Sequence, residues 1–270
     1  MSDSAYILGD DDGELDRLRL QHKVWRAATQ RILDLASFAR GDALLDVGCG
    51  PGLTTFDLLD RVGESGRVFA VDASPKMTAA LKAQAAATQT KNLEINVQDA
   101  EALTPPPVAL DGAFARWVLC FVERPGAVIE GVAHSLKQGG RFAAIDYFNY
   151  RSISLTPSDP LCDRVFAAVF DSFQNPGGGL DVGRRLPALL RQSGLHTEHI
   201  EPICAIGRPG DDVWHWVTDF LRGYLPKLVQ RNFLTETERR RFADFWAATS
   251  ANDDAFIFPP PMLGVVAIKT

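Results

Sequence analysis

"LLDVGCGPG", Leu44 to Gly52, runs from apolar residues through an aspartate into three alternating glycines. Glycine in a strand or helix costs about 0.5–1 kcal/mol relative to alanine, so three of them together mark a turn or the close approach of a ligand. Gly48, Gly50 and Gly52 follow directly on what reads as a buried strand. In an open parallel sheet, ligands bind outside the carboxyl ends of the strands. A dinucleotide site asks for G-x-G-x-x-G, with the pyrophosphate on the helix that follows. Here the third glycine comes one residue early and Leu53 takes the expected place.

Asp46 narrows the ligand. A second negative charge beside a pyrophosphate is unfavourable, whereas the ammonium of an aminoacyl group is welcome there. The ligand therefore reads as nucleoside-bearing and phosphate-free. Asp72 closes a second apolar run, "RVFAVD", where a carboxylate can accept both ribose hydroxyls. Asp99 closes a third, in "VQDAEAL", suited to an exocyclic amine of adenine. An aspartate at a strand end is most often a turn or cap residue. Three of them, on successive strands, point together at one nucleoside.

Outward from this stretch, short apolar runs alternate with helical ones. "TTFDLLDRV" and "SPKMTAALKAQAAA" read as helices, the second opened by Ser74 as cap and Pro75 in the first turn. "LDGAFARWVL" and "GRFAAIDYF" read as further strands, and "PGAVIEGVAHSLKQGG" as a helix ending at a glycine pair. Such alternation predicts an α/β fold, doubly wound and Rossmann-like, whose seven-stranded, mostly parallel sheet is covered on both faces. After Tyr147 the pattern loosens into helices over Asp159 to Phe173, Asp211 to Gln230 and Thr235 to Ala248, with "HTEHIEPICAIG" and "MLGVVAIKT" as closing strands. Before the core, Leu18, Trp25, Ala28, Ile32 and Leu35 recur at helical spacing, and Gly41 is expected to end that helix. Gln21 and His22 lie on or beside the stripe; burial base rates favour a solvent-facing helix edge for them. The division expected is a helical cap over 1–40, a core over 41–147, and over 148–270 the rest of the sheet with helical insertions.

These stretches resemble the class I S-adenosylmethionine-dependent methyltransferases. "LLDVGCGPG", "VFAVDASPKM", "VQDAEAL", "LDGAFARWVLCFV" and "LKQGGRFAAIDY" match that family's successive motifs in order. "ELDRLRLQHKVW" and "GGGLDVGRRLPALLRQSGL" look more like the small-molecule branch that includes ubiquinone- and menaquinone-biosynthesis methyltransferases. The resemblance implies S-adenosyl-L-methionine as cofactor. It sets Asp46, Gly48 and Gly50 at the methionine end, Asp72 on the ribose, Ala73 and Met77 near the adenine, and Asp99 with Ala100 on the base. Gln21 is grouped with these contacts. Arg116 stands where the family places a small or polar residue; it is expected to meet the cofactor carboxylate, the substrate, or only Asp111. Cys49 occupies a position often held by cysteine.

Composition limits the partners. The 270 residues carry a net charge of −6, and no cluster of Lys and Arg suggests a nucleic-acid track. Cys49, Cys120, Cys162 and Cys204 form no C-x-x-C pair, so neither zinc nor a disulfide framework is expected, and no metal. No signal peptide and no membrane-spanning run is read, which points to the cytoplasm. The partner expected is a small-molecule substrate; the oligomeric state is open, a homodimer among the options.

Methyl transfer from a sulfonium is an in-line displacement, in which holding the groups in line and excluding water can do most of the work. A catalytic base is optional; Asp146, Tyr147 and Tyr150 after the fifth strand and His22 on the first helix are the candidates. His134 reads as a surface residue, His196 and His199 as flanking an edge strand, and for His215, between Trp214 and Trp216, a substrate contact is the lesser of the readings weighed. Phe166, Phe170, Phe173, Trp214, Phe220 and Tyr224 read as core, or as the wall of an apolar pocket for a hydrophobic or aromatic metabolite methylated on O, N or C. The alternative is a protein that keeps the cofactor site for a structural role or a non-methylating reaction.

Overall fold

The structure, a computed structural model, describes residues 12–173 and 178–270. The first helix, α1 (Asp12–Leu35), leads into β1 (Ala43–Val47), α2 (Leu53–Val62), β2 (Arg67–Asp72), α3 (Pro75–Ala87) and β3 (Leu93–Val97). Next come β4 (Leu110–Arg116), α4 (Pro125–Ser135) and β5 (Leu136–Tyr147). The remainder runs β6 (Ser154–Thr156), α5 (Pro160–Ser172), α6 (Leu186–Gln192), β7 (Leu195–Ile203), α7 (Asp212–Gln230), α8 (Glu236–Ser250), β8 (Phe256–Phe258) and β9 (Met262–Lys269).

Among the described residues the main sheet has seven strands in the order β3-β2-β1-β4-β5-β9-β7. The first five run parallel, and β9 is antiparallel to both β5 and β7. Strand order therefore reverses between β1 and β4, which opens a crevice at their carboxyl ends. The central strands are apolar on both faces because helices cover both: Leu44, Leu45, Val47, Ala113 and Phe114 are buried.

Helix starts follow local chemistry. Ser74 accepts from the Met77 N–H ahead of Pro75, Asp159 from Leu161 N–H ahead of Pro160, and Asp211 from Trp214 N–H. Thr235 and Glu238 cap α8 reciprocally.

Two local expectations are corrected, and one element was not foreseen. The first helix ends at Leu35, well before Gly41: Ser37 adopts a left-handed conformation (φ 55°), and Phe38 then turns in against Gly112, where any Cβ would collide with its ring. "LKQGG" belongs to β5, not to the end of α4. A register irregularity between Leu110 and Gly112 absorbs it, and Gly140 sits where a Cβ would strike the carbonyls of Lys137 and Leu110. The small antiparallel sheet β6–β8, which buries Leu155 against Ile257, is not legible in the sequence.

The helices after β5 pack through aromatic rings. Phe166 meets Phe242 edge-on at 6.4 Å, and Trp214 stacks on Trp246 at 4.8 Å. Phe173 stacks on Tyr224 at 4.9 Å. Of the six aromatics named from the sequence, Phe166, Phe173, Trp214 and Tyr224 are buried core, while Phe170 and Phe220 are partly accessible.

Candidate active site

The glycine turn fixes the geometry. Gly48, Gly50 and Gly52 all have positive φ (65°, 54° and 94°), but the space around them differs. A Cβ on Gly48 would collide with Val118, and one on Gly52 with Leu81; one on Gly50 would meet nothing within 4 Å. Two of the glycines thus serve packing, and the third opens onto free space. Asp72, at the end of β2, borders that opening and accepts hydrogen bonds from Gly50 N–H and Ser74 N–H, both at 2.8 Å. Each carboxylate oxygen keeps a lone pair for a ligand hydroxyl. Burial raises the Asp72 pKa above the usual carboxylate range. The result is an open face over a left-handed glycine turn, edged by a carboxylate.

The other expected residues are arranged less uniformly. Asp46 is buried beneath the turn, accepts from Thr55 Oγ1 at 2.7 Å, and is pushed up to about 7 by burial. Asp99 is exposed, and one of its oxygens accepts from Glu101 N–H at 2.9 Å, capping a single 3-10 turn at Ala100–Ala102. Ala73 is exposed, Ala100 partly buried, and Met77 buried. Gln21 and His22 do not face solvent. Gln21 is buried, its side-chain oxygen taken by Trp216 Nε1–H (3.1 Å) and an Arg17 N–H (2.9 Å). Arg116 does not meet Asp111, which instead pairs with Lys137 and accepts from Ala43 N–H; it reaches α1, donating to Thr29 Oγ1 at 2.9 Å and to His22 Nδ1 at 3.2 Å.

The candidate bases hold their protons or have their lone pairs engaged. Burial and the Arg116 charge push His22 down to about 4. It is neutral near pH 7, with Nδ1 occupied as an acceptor. Asp146, raised to about 6 by burial, accepts from Tyr147 N–H (2.9 Å) and Cys120 N–H (3.2 Å), so it pins the segment after β4 to the end of β5. Burial holds the Tyr147 hydroxyl well above its ordinary value, so it is a protonated donor at neutral pH. The Tyr147 ring lies between Trp117 (6.3 Å) and Tyr150 (5.2 Å), and Tyr150 in turn meets Phe170 at 6.5 Å. His134, His196, His199 and His215 are exposed.

Several participants were not anticipated from sequence: Arg26, Thr29, Asp57, Thr55 and Trp117. His22, Arg26 and Thr29 stand at i, i+4 and i+7 of α1, a polar stripe at helical spacing that the apolar stripe beside it masked. Trp117, directly after β4, has φ 53°, a sterically costly conformation for a bulky residue. A cavity of about 340 Å³ lined by Leu15, Arg19, Pro51, Leu53, Ala80 and Gln84 flanks the glycine turn. Asp46, Asp72 and Asp99 do not line it, so the strand-end crevice is the better candidate. Among the described residues no cluster of His, Cys, Asp and Glu could hold a metal ion.

Comparison with known proteins identifies the family. Residues 44–140 match the family model described as a methyltransferase domain. The chain is 28% identical over 149 residues to aklanonic acid methyltransferase DauC of Streptomyces sp. (strain C5), covering 53% of this chain and 67% of that one. It is 30% identical over 166 residues to demethylmenaquinone methyltransferase of Shouchella clausii, covering 57% and 67%. It thus spans about two thirds of the length of these curated relatives. The fold matches the YcgJ protein of Bacillus subtilis with a TM-score of 0.61 at 16% identity, over 90% of this chain and 98% of that one. The chain belongs to the class I S-adenosylmethionine-dependent methyltransferases, in their small-molecule branch. Among the described residues no helix is long and apolar enough to cross a membrane.

Proposed function

We propose that the methyl acceptor is a flat, largely apolar small molecule seated against the aromatic wall at the carboxyl ends of β4 and β5. The observation that carries this reading is the run of rings Trp117, Tyr147, Tyr150 and Phe170, which begins directly after β4 and at the end of β5, with Tyr147 and Phe170 partly accessible. Such a wall offers area to a planar ligand at low conformational cost. The names of the two relatives, which refer to aklanonic acid and demethylmenaquinone, support an acceptor of that kind.

Bound S-adenosylmethionine supplies the electrophilic methyl group. The chain's part is to bind and orient. Asp72 accepts the ribose hydroxyls, Gly50 leaves the backbone bare beneath the ligand, and Asp99 accepts from the base, beside Ala73, Met77 and Ala100. Asp46 and Gly48 stand at the aminoacyl end. Tyr147 acts as a hydroxyl donor toward the acceptor, held by the Asp146 contact to its backbone, so no side-chain base is required. In this reading 41–147 form the cofactor-binding core, while α1 and the helices of 148–270 exclude water from the crevice. The proposed setting is the cytoplasm, in keeping with the free thiols Cys49, Cys120 and Cys162.

Screening phenols, quinols, amines and stabilised carbanions with methyl-labelled cofactor tests the reading. Label is expected in an aromatic or quinoid acceptor, and Tyr147→Phe is expected to lower kcat by about tenfold. Transfer confined to small aliphatic acceptors would overturn the aromatic-wall assignment.

A further inference from the structure

Trp117 is unfavourable to the fold in two independent ways. Its backbone is left-handed at φ 53°, a conformation that a bulky residue rarely adopts and that glycine would take freely. Its indole Nε1–H is shielded from solvent and meets no hydrogen-bond acceptor among the described residues. Three of the five tryptophans satisfy that donor: Trp214 gives it to Ser250 Oγ at 3.2 Å, Trp216 to Gln21 Oε1 at 3.1 Å and Trp246 to Thr218 Oγ1 at 3.1 Å. Trp25 Nε1 also lacks a partner, but Trp25 lies within α1, edge-on to Trp216, with no backbone anomaly. Of the tryptophans, Trp117 alone joins a strained backbone to an unpaired donor.

Its surroundings are those of the site. The Trp117 backbone N–H donates to Ile145 O at 2.9 Å, so the residue is still tied to β5 before the chain turns away. The next residue, Val118, packs over the glycine turn, where a Cβ on Gly48 would collide with it. The Trp117 ring lies 6.3 Å from that of Tyr147, which is partly accessible, and the Arg116 guanidinium stands 5.0 Å from its centre. The pair Trp117–Val118 therefore bridges the glycine turn and the aromatic wall, the two places whose ligands methyl transfer must bring into line. Backbone strain held at such a junction is a mark of function.

We propose that Trp117 Nε1–H donates to an oxygen of the methyl acceptor, and that the acceptor is therefore a planar ring bearing a hydroxyl or carbonyl group, such as a phenol or quinol. The assignment rests on the aromatic-wall reading above and narrows it. Ring area alone does not separate a hydrocarbon from a phenol. A buried donor does, because an acceptor without the oxygen leaves the N–H unpaired while one with it completes the bond.

The full chain saturated with S-adenosylhomocysteine tests it with two probes of the same outline, 2-naphthol and 2-methylnaphthalene. In proton–nitrogen NMR spectra of wild type, one indole resonance is expected to move downfield with 2-naphthol and not with 2-methylnaphthalene, and to be the one missing in Trp117→Phe. In equilibrium dialysis, Trp117→Phe is expected to reduce the preference for 2-naphthol over 2-methylnaphthalene by about 5- to 10-fold, the loss of one hydrogen bond, and Trp25→Phe to leave that preference unchanged. Binding of 2-naphthol to wild type with no indole resonance moved beyond its position with the hydrocarbon would overturn the proposal, whether or not Trp117→Phe folds. So would an equal loss of preference in Trp25→Phe, the behaviour of general repacking. If wild type bound S-adenosylhomocysteine but neither probe, the flat-acceptor reading itself would fall.

Discussion

The indole N–H of Trp216 on α7 donates to the side-chain oxygen of Gln21 on α1 at 3.1 Å, joining two helices through residues 195 positions apart in sequence. Trp25 packs edge-on against the same indole at 5.3 Å. Replacing Trp216 by Phe keeps much of the packing but removes the donor. The expected cost is about 1–2 kcal/mol in urea unfolding. An unchanged midpoint would show that the bond carries no stability.

The first helix is not a detachable lid. Ile32 and Leu33 are fully buried, and Ile32 occupies the place that a Cβ on Gly264 of β9 would take. Removing residues 1–40 is therefore expected to unfold the protein, seen as loss of a cooperative thermal transition. Gly264→Ala should destabilise by about 1–3 kcal/mol through overpacking. A truncated chain that melts cooperatively near the wild-type temperature would contradict this.

Gly50 and Gly52 separate ligand binding from folding. A Cβ at Gly50 meets nothing within 4 Å, so the folding cost of Gly50→Ala is expected to be mainly left-handed strain of about 1–2 kcal/mol, while the bulkier Gly50→Val is expected to abolish binding of S-adenosylhomocysteine. Gly52→Ala forces Leu81 aside and should show the larger drop in melting temperature. Asp72→Ala should weaken binding by about 2–3 kcal/mol through loss of a charged acceptor. Retained affinity in both Gly50→Val and Asp72→Ala would place the cofactor elsewhere.

His22 makes stability depend on pH in a definite direction. An unperturbed histidine titrates near 6.5, and in the fold His22 titrates near 4. Between those values the unfolded chain binds a proton that the folded one does not, so acidification through this window favours unfolding by up to about 1.4 kcal/mol per pH unit. Asp46 and Asp146, raised by burial to about 7 and 6, act oppositely, losing stability as pH rises from near 4. The stability of wild type relative to His22→Gln should therefore decline from pH 6.5 to 4, by denaturant titration at each pH. A constant difference would mean that His22 is not held neutral.

What the sequence disclosed follows from its periodicities. Asp46, Asp72 and Asp99 could be set at successive strand ends because buried parallel strands read as apolar runs and end where those runs end. The partners of Gln21 and His22 could not be read, because Trp216 and Arg116 lie about 200 and 94 residues away and only packing brings them together. The β6–β8 pair escaped because three residues carry no period. "LKQGG" misled because a glycine pair after a helix is an ordinary stop signal, whereas here it accommodates a strand irregularity.

Strand β9 has a consequence for how the molecule is made. It lies between β5 and β7, and among the described residues β7 has no other partner in the sheet. During synthesis β7 emerges two helices ahead of the strand it must join, and until then one edge of β5 is bare. The nascent chain passes through a stage in which the nucleoside-facing half can pair, while the far edge waits with unpaired amides and apolar surface. The exposed Ile200 on β7 adds to that surface. Expression yield, and its dependence on chaperone supply, should therefore respond more to changes in Met262–Lys269 than to changes in the glycine turn.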